Sequence, residues 1–264
     1  MSTATQTPQA DPTEVKMTFG EHLEELRWRL VKSLIAFSVV FVGAVVLYEK
    51  LIGFVVQPHY RVMEWLKVKP EDASLISGSY TKPIWAAMKL AFIVAIVVAS
   101  PVIAYQIWKF VAAGLYPRER KYVARYAPVS FLLFAGGCVF GYLVLIPYGL
   151  YGMAQMFDLK QVKPMYVLTD YLDLVMGLTI VTGVVFQLPL IMAFCSAIGL
   201  TTWRTWVRWI RFAIVAIFIA AAILTPTPDV FTQLLLAIPL LLLYGVGIGL
   251  AALIGPSERV RPAS

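Results

Sequence analysis

The 264-residue sequence is 60% apolar, has a mean hydropathy of +0.78 and carries only 14% charged residues, which excludes an ordinary soluble globule with a polar surface. Its formal charge of +7 reads as membrane topology and attraction to anionic lipids, and not as a nucleic-acid-binding surface. Cys138 and Cys195 both sit inside apolar runs at no metal-ligand or C-x-x-C spacing, so neither a metal nor another cofactor is expected.

In chain order, residues 1–17 are rich in Thr, Pro and Gln and lack an apolar core or a small-residue cleavage site, so they are expected to form a disordered cytoplasmic tail. An all-α polytopic membrane domain is expected over 18–255, with six spans near 28–49, 84–110, 126–157, 170–198, 207–224 and 229–253, and a second cytoplasmic tail at 256–264. The predicted inner flanks hold twice as many Lys and Arg as the outer ones, which puts both termini in the cytoplasm. YRVMEWLKV, in the outer connection near 49–82, has the pattern of a short helix on the membrane surface. Pro101, Pro147, Pro189 and Pro239 fall inside spans and should bend them, giving a curved, concave wall and not a straight bundle. The fifth span is short, which predicts a locally thinned bilayer.

Several polar constellations interrupt this apolar chain. HLEELRWRL, 22–30, stands directly before the first apolar run, and Thr18-x-x-Glu21 has capping-box form. Phe19, Leu23, Leu26 and Leu30 form one helical stripe, so this segment is expected to lie on the membrane before entering it. Its other face carries Glu21, Glu24, Glu25, Arg27 and Arg29, with Glu25 and Arg29 at the favourable i,i+4 spacing; pattern alone explains that face as solvated charge. GLYPRERKYVARY, between the second and third spans, places Glu119 as the only acid among Arg118, Arg120, Lys121 and Arg125. Carboxylates near Glu25 and at Glu119 on one membrane face can grip a guanidinium bidentately, which suggests a basic peptide with an apolar stretch behind it.

Gln187, two residues before Pro189, needs a partner in lipid, either in carbonyls freed by that proline or in a helix of another protein. Asp229 follows Thr227 and Pro228 at a conventional helix start and is expected to act as a capping acid. Lys89, one to two turns inside the second span, is expected to snorkel outward.

Together these pieces resemble the TatC family, the multi-spanning subunit of the twin-arginine protein translocase. The resemblance runs from about Thr18 to the end of the sixth span and rests on HLEELRWRL, Pro58 in the outer loop, SPVIAYQIWKFVAAGLYPRER, FQLP and LTPTPDVFTQLLLAIP, in that order. It implies a receptor for signal peptides that carry paired arginines ahead of an apolar segment on folded cargo. Glu25 and Glu119 match the family's acidic positions for those arginines, Arg27 lies alongside, and Phe110, Leu115 and Tyr116 match the floor of the site. Gln187 matches a position implicated in polar contact with the single-span subunits TatA and TatB, while Pro58, Pro101 and Asp229 match structural positions. The resemblance further implies the proton-motive force as energy source, TatA assembly as the aperture, TatB and TatA docked on spans five and six, self-association in a receptor complex and a prokaryotic inner membrane.

The rival reading is a secondary transporter of a small solute or ion, since broken helices and an intramembrane glutamine suit one. Against it stand the lack of an inverted repeat, of an acid at mid-membrane and of a charged relay beyond Lys89. No enzyme is expected: His22 and His59 lie outside the predicted spans and no two acids face each other within them.

Overall fold

The structure, a computed structural model, describes residues 19–115, 120–156, 164–224 and 230–254. Regular structure in them is helical apart from one parallel bridge between Ile76 and Val167. The predicted tails, and with them the Thr18 end of the capping box, lie outside the described residues, as do Tyr116, Glu119 and Asp229.

Helix α1 (Phe19–Val46) is unbroken, so the charged segment continues the first span and does not turn away onto the surface. At 28 residues it rises about 42 Å, longer than the hydrocarbon core of about 30 Å, which leaves its charged end beyond the apolar layer. Two short helices, α2 (Tyr48–Val55) and α3 (Gln57–Trp65), follow; α3 includes much of the predicted amphipathic segment and buries Pro58 and His59. Next come α4 (Lys82–Ala113) and α5 (Arg120–Phe140), a π-helical turn at Gly141–Leu145, and α6 (Ile146–Met156). The remaining helices are α7 (Leu168–Val185), α8 (Leu188–Ala197), α9 (Trp203–Arg208), α10 (Ile210–Leu224) and α11 (Val230–Ile254).

Among the described residues, five stretches are long and apolar enough to cross a membrane: Gly20–Val46, Lys82–Ala113, Tyr126–Gln155, Leu168–Ala197 and Val230–Ile254. Apolar α10 is the sixth candidate, and its 15 residues rise about 22 Å.

The prolines act in different ways. Pro189 separates α7 from α8 at Phe186 and Gln187, where the regular ladder stops. Pro147 follows the π-helical turn, a wider coil that accommodates its missing donor. Pro101 and Pro239 sit inside helices that carry on through them. At Pro101 the local reason is visible: the Val97 carbonyl, which would have accepted the missing N–H, accepts the Ser100 hydroxyl at 2.7 Å.

The helices pack as a row. α1 lies on α4, α4 on α5 and α7, and α5 on α7, while α8 packs on α11 and α11 on α10. Close approach of α5 to α7 depends on small residues: a Cβ at Gly137 would come 2.5 Å from the Thr182 carbonyl oxygen. The main core joins Leu90, Leu145, Ile146, Leu172, Met192 and Leu236 from both halves of the row. α1 stands apart, with 6% of its most apolar window buried within the chain against 33–39% for the other long spans.

At one end of the row, α2 and α3 tie the ends of α5 to α7 together. Tyr142 donates to the Phe54 carbonyl at 2.5 Å and Tyr171 to the Val55 carbonyl at 2.7 Å. The Ile76–Val167 bridge joins the connection before α4 to the start of α7. Lys89, expected to snorkel outward, also gains a partner there: its ammonium pairs with half-exposed Asp173 on α7 at 2.6 Å. The pair links α4 to α7 one to two turns inside each helix, a cheaper solution near an apolar layer than an isolated charge.

Candidate functional site

At the opposite end of the row, the start of α1 meets the end of α4. The face turned to the protein is the polar one: His22, Glu25 and Arg29 are half-buried, while Leu23, Leu26 and Leu30 are exposed. The apolar stripe thus points away from the chain, and on the charged face Glu25 and Arg29 are drawn against α4 while Glu21, Glu24 and Arg27 stay exposed. Helical spacing brings His22, Glu25 and Arg29 onto one line, and contact with α4 selects that line for burial.

The contacts are specific. His22 stacks on Phe110 with ring centroids 4.5 Å apart. Arg29 donates to Glu25 Oε1 through Nε at 3.1 Å and also through one terminal nitrogen, while its other terminal nitrogen lies 3.5 Å from Gln106 Oε1 on α4. Among the described residues Glu25 Oε2 is buried with no hydrogen-bond partner, although the whole side chain keeps 22% of its surface exposed. Glu25, Arg29 and Gln106 line an open groove of about 490 Å³, whose walls also include Glu21, Glu24, Trp28, Lys32 and Lys109. Lys109 lies over the Tyr105 ring at 4.6 Å from its centroid. A carboxylate oxygen with no donor, in a groove that also presents further carboxylates, is an acceptor for a cationic donor.

The predicted site residues separate into groups. Glu25 and Phe110 sit at the same α1–α4 contact, Glu25 through Arg29 and Phe110 through His22, while Arg27 is exposed on α1 and does not line the groove. Leu115 packs instead against the neighbouring cluster of Trp108, Tyr126 and Leu190, where Trp108 stacks on Tyr126 with centroids 5.3 Å apart. Pro58 is buried in the helix pair at the other end of the row, and Pro101 lies in mid-α4. Gln187 is bound within the chain: its Oε1 accepts the Ser130 hydroxyl at 2.7 Å and its Nε2 donates to the Ser130 carbonyl at 3.0 Å. Its partner is therefore α5, not the carbonyls freed by Pro189.

His22, Gln106, Trp108, Ser130 and Asp173 were not singled out from the sequence as partners. His22 and Gln106 lie inside the quoted motifs, which was the available signal; Ser130 and Asp173 carried none.

Comparison with known proteins fits this geometry. The sequence model of one family, described as Sec-independent protein translocase protein (TatC), matches residues 21–239. The chain belongs to the TatC family. Among relatives, the TatC of Koribacter versatilis is 36% identical over 246 residues, 92% of this chain and 88% of the relative. That of Escherichia coli is 33% identical over 227 residues, 86% of this chain and 85% of the relative. A crystal structure described as the twin arginine translocase receptor TatC superposes with a TM-score of 0.76 at 31% identity, covering 89% of this chain and 99% of that chain. The all-α membrane fold is thus the TatC fold, in a family of protein translocase components, and the comparisons do not favour the solute-transporter alternative.

Proposed function

We propose that this chain is the receptor and core subunit of a twin-arginine translocase, binding Arg-Arg signal peptides of folded proteins at the α1–α4 groove. The observation that carries the reading is Glu25: a half-buried carboxylate with one oxygen lacking a donor, in a groove walled by Glu21 and Glu24. A guanidinium offers the parallel donors such a carboxylate accepts, and partial desolvation strengthens the contact. Glu119 supplies a second carboxylate from the α4–α5 connection, Arg27 lies alongside on α1, and Phe110 and Tyr116 form the apolar floor, with Leu115 extending it toward the Trp108 cluster. The apolar segment behind the arginines lies along the helix row, and the tether between the two weak contacts makes the combined affinity.

In this reading the protein crosses a prokaryotic inner membrane six times with both termini in the cytoplasm, as the bias of Lys and Arg supports. It self-associates in a receptor complex and takes TatB and TatA on its last two spans and near Gln187. The proton-motive force and TatA assembly then move the cargo, with no cofactor and no catalytic step in this chain. Asp229 caps the last span, while Pro58 and Pro101 shape the wall.

The test is photocrosslinking in membranes with Arg-Arg and Lys-Lys versions of a signal peptide, against wild type and a Glu25→Ala/Glu119→Ala double variant. Labelling that needs both the arginines and the glutamates is expected. Equal labelling of all four combinations would return the charged end of α1 to a surface cap.

A further inference from the structure

The groove is not empty of guanidinium, because Arg29 already occupies Glu25. We propose that Arg29 is a resident competitor that an incoming arginine displaces from Glu25, and that this exchange sets the site's preference for arginine over lysine. The proposal rests on the reading of Glu25 as the signal-peptide acceptor and adds a specificity-determining residue to it.

The geometry of the pair is that of a contact built to be exchanged. Arg29 places two of its nitrogens on the same oxygen, Oε1, and leaves Oε2 buried and unpartnered. The third nitrogen of its guanidinium turns to Gln106 across the interface with α4. Residence on Glu25 thus neutralises the carboxylate without using its second oxygen. A guanidinium arriving from the groove can bridge both oxygens with parallel donors, an arrangement Arg29 does not achieve from its own helix. Gln106 offers the displaced Arg29 a local acceptor, so the exchange need not strand a buried charge.

Lysine fails at the same step. An ammonium is a point donor that cannot span the two oxygens, so it offers no gain over Arg29 and must still evict it. Lys32 and Lys109, in the groove wall, add repulsion toward any cation that binds without a compensating fork. The preference for arginine then comes from a difference between incoming and resident contacts, not from the depth of the pocket.

The test measures affinities of purified full-length chain in nanodiscs for two fluorescent synthetic peptides, with Arg-Arg or Lys-Lys before the same apolar stretch. Variants are Glu25→Gln, Arg29→Met and Arg29→Lys. Arg29→Met should tighten Lys-Lys binding by about tenfold and Arg-Arg binding by less, so that the ratio between them shrinks. Arg29→Lys keeps the charge, weakens the resident contact and should shrink the ratio in the same direction by a smaller factor, serving where the methionine variant does not fold. An unchanged ratio in the folded Arg29 variants, or equal weakening of both peptides, would make Arg29 a structural strut and overturn the proposal. Glu25→Gln separates the two ideas: if it leaves Arg-Arg binding at the wild-type value, or if wild type shows no Arg-Arg preference, the receptor reading itself fails.

Discussion

Ser130 and Gln187 exchange two hydrogen bonds between α5 and the break that ends α7, so the amide is already engaged on both its oxygen and its nitrogen. One N–H and one lone pair remain for a helix of another subunit. Replacing Gln187 by Leu removes both bonds and should cost about 1 kcal/mol of stability, read as a lower unfolding midpoint in detergent. If the remaining amide capacity serves TatA or TatB, the same variant translocates less while binding signal peptide normally; lost peptide binding would count against that role. At this scale, local spacing made the Glu25–Arg29 pair legible because both residues share one helix. Gln106, Ser130 and Asp173 were hidden for the opposite reason: each meets its partner across two helices, and no local pattern encodes the register between them.

The all-α, membrane-crossing character of the chain was readable from its long apolar runs, since such a run has few folded alternatives in lipid. The side each helix buries was not. The start of α1 has an apolar stripe that a soluble protein would turn inward, yet here Leu23, Leu26 and Leu30 face outward while His22, Glu25 and Arg29 meet protein partners. The prolines show the same limit. Sequence marks where a donor is missing, but the outcome depends on neighbours, from the Ser100 hydroxyl at Pro101 to the complete break before Pro189. Small residues carry the backbone-close contact of α5 with α7, that of Gly137 with Thr182 and Gly183. Gly137→Leu should therefore push α5 from α7 and destabilise the fold by about 1–3 kcal/mol, checked by thermal unfolding. A variant as stable as wild type would mean that the two helices separate freely.

Taken whole, the molecule has a groove at one end and a clamp at the other. In the clamp His59 is buried, 3.0 Å from the Ala73 carbonyl, and packed by the rings of Tyr60, Tyr166 and Tyr171, with Asp170 lining the same cavity. Burial pushes the imidazole below its usual 6.5, and the bond to Ala73 opposes that only in part. The folded state therefore favours the neutral ring, and its contribution is complete above about 6.5 and is lost as pH falls through the depressed folded value. Wild type should unfold at progressively lower temperature as pH is reduced from 8 to 5, and His59→Gln should flatten that trend; equal slopes would remove His59 as the cause.

The bareness of α1 has a consequence for how the protein is made. A helix that has only 6% of its most apolar window buried and packs mainly against α4 leans little on the later segments, so it must be at home in lipid as soon as it leaves the ribosome. In the proposed orientation, Arg27, Arg29 and Lys32 at its leading end would set its direction of insertion before any partner helix exists. α4, the helix it packs against, is the next long span to be synthesised, so the groove is assembled by the first two membrane helices to emerge. The groove proposed to receive the signal peptide would thus be the earliest part of the molecule to form, ahead of the core that supports it.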